Sequence, residues 1–173
     1  MVECEKCLDP TALGLFLVAV VSLPLAILQF YNEGIPTRPF FELMGLLIIL
    51  VACYAYKSDS NFGFTVFMLV GAAVALTGFE ADPSFNGSAI NWENVAFALV
   101  FFLAIIWSVV AKTPKALSGI CLTTGLIFLT VGLSGVIGGD YWHWLIGISA
   151  LANFLLNIYL SFALALEGKI PIL

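Results

Sequence analysis

Formal charge is missing where this chain is most apolar. Its 173 residues include only 6 Lys or Arg, 11 Asp or Glu and 1 His. None of these lies in the interior of six long apolar runs, at 11–30, 39–56, 62–80, 93–111, 117–137 and 142–166. That absence excludes a proton relay of embedded carboxylates or histidines, and a fixed cation for a bound anion. An intramembrane enzyme needs a nucleophile with a base or a metal cluster. Neither is visible, so no catalytic residue, metal or cofactor is expected. The net charge of −5 leaves no basic footprint for nucleic acid. Cysteine is scarce, with 4 in the chain. Cys53 and Cys121 fall inside apolar runs and read as small packing residues. Cys4 and Cys7 form a single CxxC, two ligands where tetrahedral zinc takes four, so a reduced tail is the plainer reading.

Apolar residues are what the chain has instead. They make up 62% of it, and the mean hydropathy is +1.10. A hydrocarbon core about 30 Å thick takes roughly 20 helical residues. Backbone groups in lipid must pair internally, which leaves helices or closed barrels. Continuous runs, not alternating ten-residue segments, select helices. The expectation is an all-α integral membrane protein, one six-helix domain over 1–173. The first run is too long for a signal-peptide core, and its flank (Glu3, Glu5, Lys6) has no basic excess.

Charge placement orients the domain. Lys6, Lys57, Lys112, Lys115 and Lys169 fall at one end of the runs. The other end has Arg38 alone, among Glu33, Glu42, Glu80, Asp82, Glu93 and Asp140. The positive-inside rule puts both termini in the cytoplasm and an acidic face outside. Tyr141, Trp142, Trp144 and Trp92 read as an interfacial belt at the acidic end. His143 sits among them, as an anchor or as a pH-dependent gate. Asp9 and Pro10 suit the start of the first helix. Pro24, inside it, is expected to kink it or free a carbonyl. Gly34, Pro36 and Pro39 mark one outer turn, and Lys57 to Asn61 a short inner one. The stretch from Glu80 to Trp92, with Pro83, reads as the longest outer loop, with room for a short interfacial helix. Asn86-Gly87-Ser88 in that loop matches a glycosylation acceptor.

The remaining polar residues form patterns. Ser149, Asn153, Asn157 and Ser161 recur every four residues, one stripe along the last helix. Amides unpaired in hydrocarbon are costly. The stripe therefore faces other helices through hydrogen bonds or forms a wet wall; both readings stand. Thr123, Thr130 and Ser134 share a face of the fifth helix, and Thr124 adjoins it. Thr65 and Thr77 lie on the third. Glycines gather in the third (Gly63, Gly71, Gly78) and fifth (Gly119, Gly125, Gly132, Gly135) helices, for close packing or for a pore-lining face. A conduit of hydroxyls, amides, glycines and apolar groups suits a small neutral solute, or an anion held weakly at several sites.

Two motifs add a resemblance. Asp9-Pro10-Thr11-Ala12-Leu13-Gly14-Leu15 is similar to the NPAPLGL signature of the acetate uptake transporter family, the succinate–acetate permeases. Asp9 stands where that family has Asn, and Ala12 where it has Pro. Asn61-Phe62-Gly63-Phe64-Thr65-Val66-Phe67, with Gly71 beyond, resembles its TFG-x-T-x-F-x-x-x-G run, and Ile158-Tyr159-Leu160 fits its last helix. The resemblance implies a homohexameric ring in a prokaryotic inner membrane, with one pore per protomer. It implies acetate and related small monocarboxylates as solutes, extending to succinate, through a passive channel or a proton-linked carrier.

The family's aromatic constriction aligns with Val18, Val70 and Thr124, smaller residues that imply a wider or displaced gate. Phe16 or Phe67 is the expected substitute. Leu13, Gly14, Leu15, Gly63, Thr65, Gly71, Gly125, Thr130, Asn153 and Asn157 are the expected pathway residues. The alternatives are a neutral-solute channel of the urea or amide type, which resembles this plan but carries histidine-rich outer loops not found here, and a non-transporting structural membrane protein.

Overall fold

The computed structural model describes residues 10–33, 36–58, 60–80, 87–166 and 169–172, apart from the side chains of 80 and 87–90. The expectations placed on Cys4, Cys7, Asp9, Gly34, Asp59, Asp82, Pro83 and Asn86 lie outside those residues. The described chain forms six α-helices: α1 (Thr11–Phe30), α2 (Arg38–Lys57), α3 (Asn61–Glu80), α4 (Gly87–Val110), α5 (Lys115–Ile137) and α6 (Tyr141–Ala165). All six are long and apolar enough to cross a membrane. They run up and down between a lysine end, with Lys57, Lys112 and Lys115, and an acidic end, with Glu33, Glu42, Glu93 and Asp140.

Helix ends follow local chemistry. Pro39 sits in the first turn of α2, where its missing N–H costs nothing. Pro114 precedes α5 in an extended conformation that the helix does not continue backwards. Gly138 ends α5 at φ 71°, and its N–H bonds Ser134 O at 3.0 Å; only glycine takes that conformation without strain. Pro24 stays inside a continuous α1 and leaves the carbonyl of Val20 without its usual donor. α4 begins earlier than the apolar run suggests. Hydropathy marks the part from Asn91 onward, but the helix starts at Gly87. The stretch read as an outer loop with a short interfacial helix is, from Gly87 on, the first turn of α4.

Three close pairs build the bundle: α2 with α3, α4 with α5, and α1 with α6. Small residues permit the approach. A Cβ on Gly45 would lie 2.6 Å from the backbone nitrogen of Ala75, and one on Gly132 would lie 2.6 Å from the carbonyl oxygen of Asn91. Ala19, Ala26, Ala150 and Ala163 are fully buried on α1 and α6. In lipid such contacts replace the hydrophobic drive that water supplies elsewhere. Contacts of α1 with α2, α3 with α4, and α5 with α6 join the pairs. Every helix therefore touches the next and α6 touches α1, which closes a six-helix ring. The α3–α4 seam is the loosest of these. An apolar groove lies there, lined by Thr65, Val66, Leu69, Val100, Leu103, Ala104 and Trp107.

Candidate functional site

A ring of helices leaves space at its axis, and here that space is a cavity of about 230 Å³. All six helices supply its wall. Val18, Val21, Ser22 and Leu25 come from α1 and Phe41 from α2. Val70, Val74 and Thr77 come from α3, and Asn91 and Asn94 from α4. α5 gives Thr124, Ile127, Phe128 and Val131, and α6 gives Asn153. No Asp, Glu, Lys, Arg or His is among them. The wall is largely apolar, with amides and hydroxyls at two levels.

Asn153 organises the deeper level. Its Oδ1 accepts from Thr123 Oγ1 at 2.9 Å, Thr124 Oγ1 at 3.3 Å and Asn157 Nδ2 at 2.9 Å. Its Nδ2 donates to Ser22 Oγ at 3.1 Å, and Ser22 Oγ donates to Val18 O at 2.8 Å. Asn157 Nδ2 also donates to Asn153 O at 2.8 Å. This network joins α1, α5 and α6 among buried residues, and fixes which way each amide points. Asn91 and Asn94 form the second level, near the acidic end, where α4 begins.

A shorter recess of about 130 Å³ opens at the lysine end, with Thr11, Gly63, Val66, Phe67 and Leu117 in its wall. Seven residues separate Thr11 from Val18 on α1, and seven separate Leu117 from Thr124 on α5, so about 10 Å divides the two spaces along those helices. Leu15, Phe67, Ile120, Cys121 and Asn157 are buried at that depth. Phe67 packs over Gly14, where an added Cβ would meet its ring at 2.6 Å. This packed layer separates the cavity from the recess.

The structure sorts the expected residues. Val18, Val70 and Thr124 lie together on the cavity wall with Asn153. They border the open space, and the packed layer lies about one turn nearer the lysine end. Phe67 belongs to that layer, as does Leu15. Phe16 does not: it meets Phe162 edge-on, 5.2 Å between ring centres. Gly14 lies beneath Phe67, and Gly63 lines the lysine-end recess. Leu13 is 55% exposed on the bundle's outside. Thr65 lines the α3–α4 groove and donates to Asn61 O at 2.9 Å. Gly71 faces Ile49 and Gly45 of α2, and Gly125 faces Phe102 of α4, so both serve helix approach. Thr130 is buried and donates to Leu126 O at 2.7 Å.

Thr77, noted on the third helix, is a wall residue, and so are Ser22, Asn91 and Asn94, which sequence reasoning did not place in the conduit. Ser22 was masked by its place in an apolar run; of the two asparagines, Asn91 was assigned to an outer loop and Asn94 to the run after it. Their three-residue spacing was the available signal. His143 lies at the acidic end, where its Nδ1 donates to Gln29 Oε1 at 2.7 Å and ties α6 to α1. Among the described residues, no three of His, Cys, Asp and Glu gather closely enough to hold a metal.

No protein-family model and no curated protein matches the chain. Among solved structures, that of the bacterial acetate channel SatP does. It superposes with a TM-score of 0.79 over 95% of this chain and 98% of that one, at 16% identity. At that identity the shared property is the fold.

Proposed function

We propose that this protein is a membrane channel for acetate and related small monocarboxylates. The observation that carries the reading is the axial cavity. All six helices line it, its polar groups are amides and hydroxyls, and it carries no formal charge. The fold it sits in is shared end to end with a solved acetate channel. A solute with a short apolar tail and one polar head fits such a wall, the tail against Val18, Val70 and Ile127 and the head toward Asn153. Phe67 and Leu15 form the gate, and Val18, Val70 and Thr124 shape the chamber before it. Transport is passive or proton-linked. Succinate, with a second carboxylate to strip of water, is the poorer solute. The working unit is a homohexamer in a prokaryotic inner membrane, both termini in the cytoplasm. No step in this reading is catalytic.

The same uncharged wall supports a second reading, a channel for neutral solutes such as urea or short amides. Purified protein in lipid vesicles separates the two. Labelled acetate and labelled urea are followed side by side, with and without a pH gradient, against protein-free vesicles. Acetate entry above the bare-lipid rate is expected. Urea entry alone would transfer the assignment to the second reading. Vesicles indifferent to both solutes would leave a bundle that only packs.

A further inference from the structure

Hydrogen-bond valences inside the conduit are unequal. At the level of Asn153 the hydroxyl protons are engaged: Ser22 donates to Val18 O and Thr124 to Asn153 Oδ1, and nearer the acidic end Thr77 donates to Ala73 O. Both Asn157 Nδ2 contacts go to Asn153. What remains at that depth is chiefly lone pairs on oxygen. One acceptor stands out. Asn157 is 0% exposed, and no donor among the described residues reaches its Oδ1. It lies about 6 Å below Asn153 along α6, inside the closing layer between cavity and recess. A buried carbonyl oxygen without a donor is unfavourable. The neighbouring hydroxyl protons are engaged elsewhere, and among the described residues no cation lines either space.

From this, and resting on the channel reading above, we infer that Asn157 Oδ1 is a solute-binding acceptor in the closing layer. It passes solutes that are uncharged and donate a hydrogen bond: the protonated acid, not the carboxylate, and short amides of the same shape. A carboxylate brings acceptors only. It would meet the oxygens of Asn153 and Asn157 lone pair to lone pair, and no described lysine or arginine lines either space to offset its lost water. An acid O–H or an amide N–H supplies the donor that the layer lacks. The proton enters and leaves with the solute, so the step balances without any titrating side chain.

The test uses the full-length protein in vesicles, protein-free flux subtracted, with equal pH on both sides. Three probes are compared: acetate, acetamide, and methanesulfonate, which stays ionised throughout. Between pH 6 and pH 8 the acid form of acetate falls roughly a hundredfold. Protein-mediated acetate flux should fall by about that factor and carry no current. Acetamide flux should be the same at both pH values, which also separates solute titration from any change at His143 or Asp140 at the rim. Methanesulfonate should not pass. Asn157→Leu should lower acetamide flux about tenfold or more while the chain keeps its elution profile. The three-probe comparison decides the matter on the native chain even if that variant does not assemble.

A methanesulfonate current, or acetate flux flat from pH 6 to pH 8, overturns the inference and leaves the acetate channel standing. Acetamide flux without acetate flux keeps the inference and removes acetate as the solute. No flux of either removes both.

Discussion

At the scale of single residues, the proposed channel is sensitive to side-chain volume at two depths. Val70 is buried on the cavity wall. Val70→Tyr would push a ring into a space of about 230 Å³ that needs room for solute and water. Acetate flux is expected to fall at least severalfold, with assembly and thermal stability in detergent little changed, because the ring has a cavity to occupy. Unchanged flux would remove Val70 from the pathway. Phe67 is the opposite case. It is 3% exposed and lies over Gly14. Phe67→Ala opens the layer and widens acceptance, so propionate and butyrate should gain relative to acetate. The cost is the loss of a buried ring, about 3–5 kcal/mol in water-soluble cores, read here as a lower melting temperature.

These residues show how far the sequence could be read. Val18, Val70 and Thr124 were placed by motif spacing, and all three reach the same wall, because spacing along a helix fixes the face. Which layer separates the two spaces was not legible. It depends on the Phe67 ring crossing to Gly14 of another helix, and that is a tertiary contact. The polar stripe of α6 was left with two readings. Asn153 stands on the wall and in the helix-joining network at once, while Asn157 is sealed behind it.

At the scale of elements, five helices begin and end within about two residues of their apolar runs. Hydropathy works there because turn residues such as Pro39, Pro114 and Gly138 cut the helices at the lipid boundary. α4 departs because hydropathy measures what lipid tolerates, and a helix can run past that boundary into polar surroundings. The glycines divide the same way. Their concentration on α3 and α5 was visible, but their partners were not. Gly45 and Gly71 both serve the α2–α3 pair. Gly45→Val would drive side-chain atoms into the backbone of Ala75, already 2.6 Å from an ideal Cβ. Overpacking of this kind costs about 1–3 kcal/mol. The variant should melt earlier in detergent, and its flux per folded protein should change less than that of Val70→Tyr, since neither Gly45 nor Ala75 is among the residues lining the cavity. A stability equal to the parent chain would mean that the two helices do not pack this closely.

At the scale of the whole molecule, charge asymmetry and an uncharged axis act together. The acidic end carries Glu33, Glu42, Glu93 and Asp140 against Arg38, and Arg38 is paired with Glu42 at 2.7 Å. If this end faces outward, cysteines introduced at Asn32 or Asp140 should react with a membrane-impermeant maleimide on intact cells. Cysteines at Ser58 or Thr113 should react only after the membrane is opened. An acidic rim lowers the local concentration of anions, and salt screens that effect over about 8 Å at physiological ionic strength. Solute charge therefore decides how flux responds to salt. An anion's flux through this rim should rise as salt is added from about 10 mM to about 500 mM, because repulsion at the mouth is removed. A neutral acid or amide gives the rim nothing to repel, so its flux should stay level across that range. Vesicle uptake of acetate measured over such a series, at fixed pH and osmolarity, checks the rim and the axis together. A level response agrees with passage as the acid. A rising one shows the carboxylate crossing a mouth built against it, and would require a donor in the closing layer other than those the structure shows.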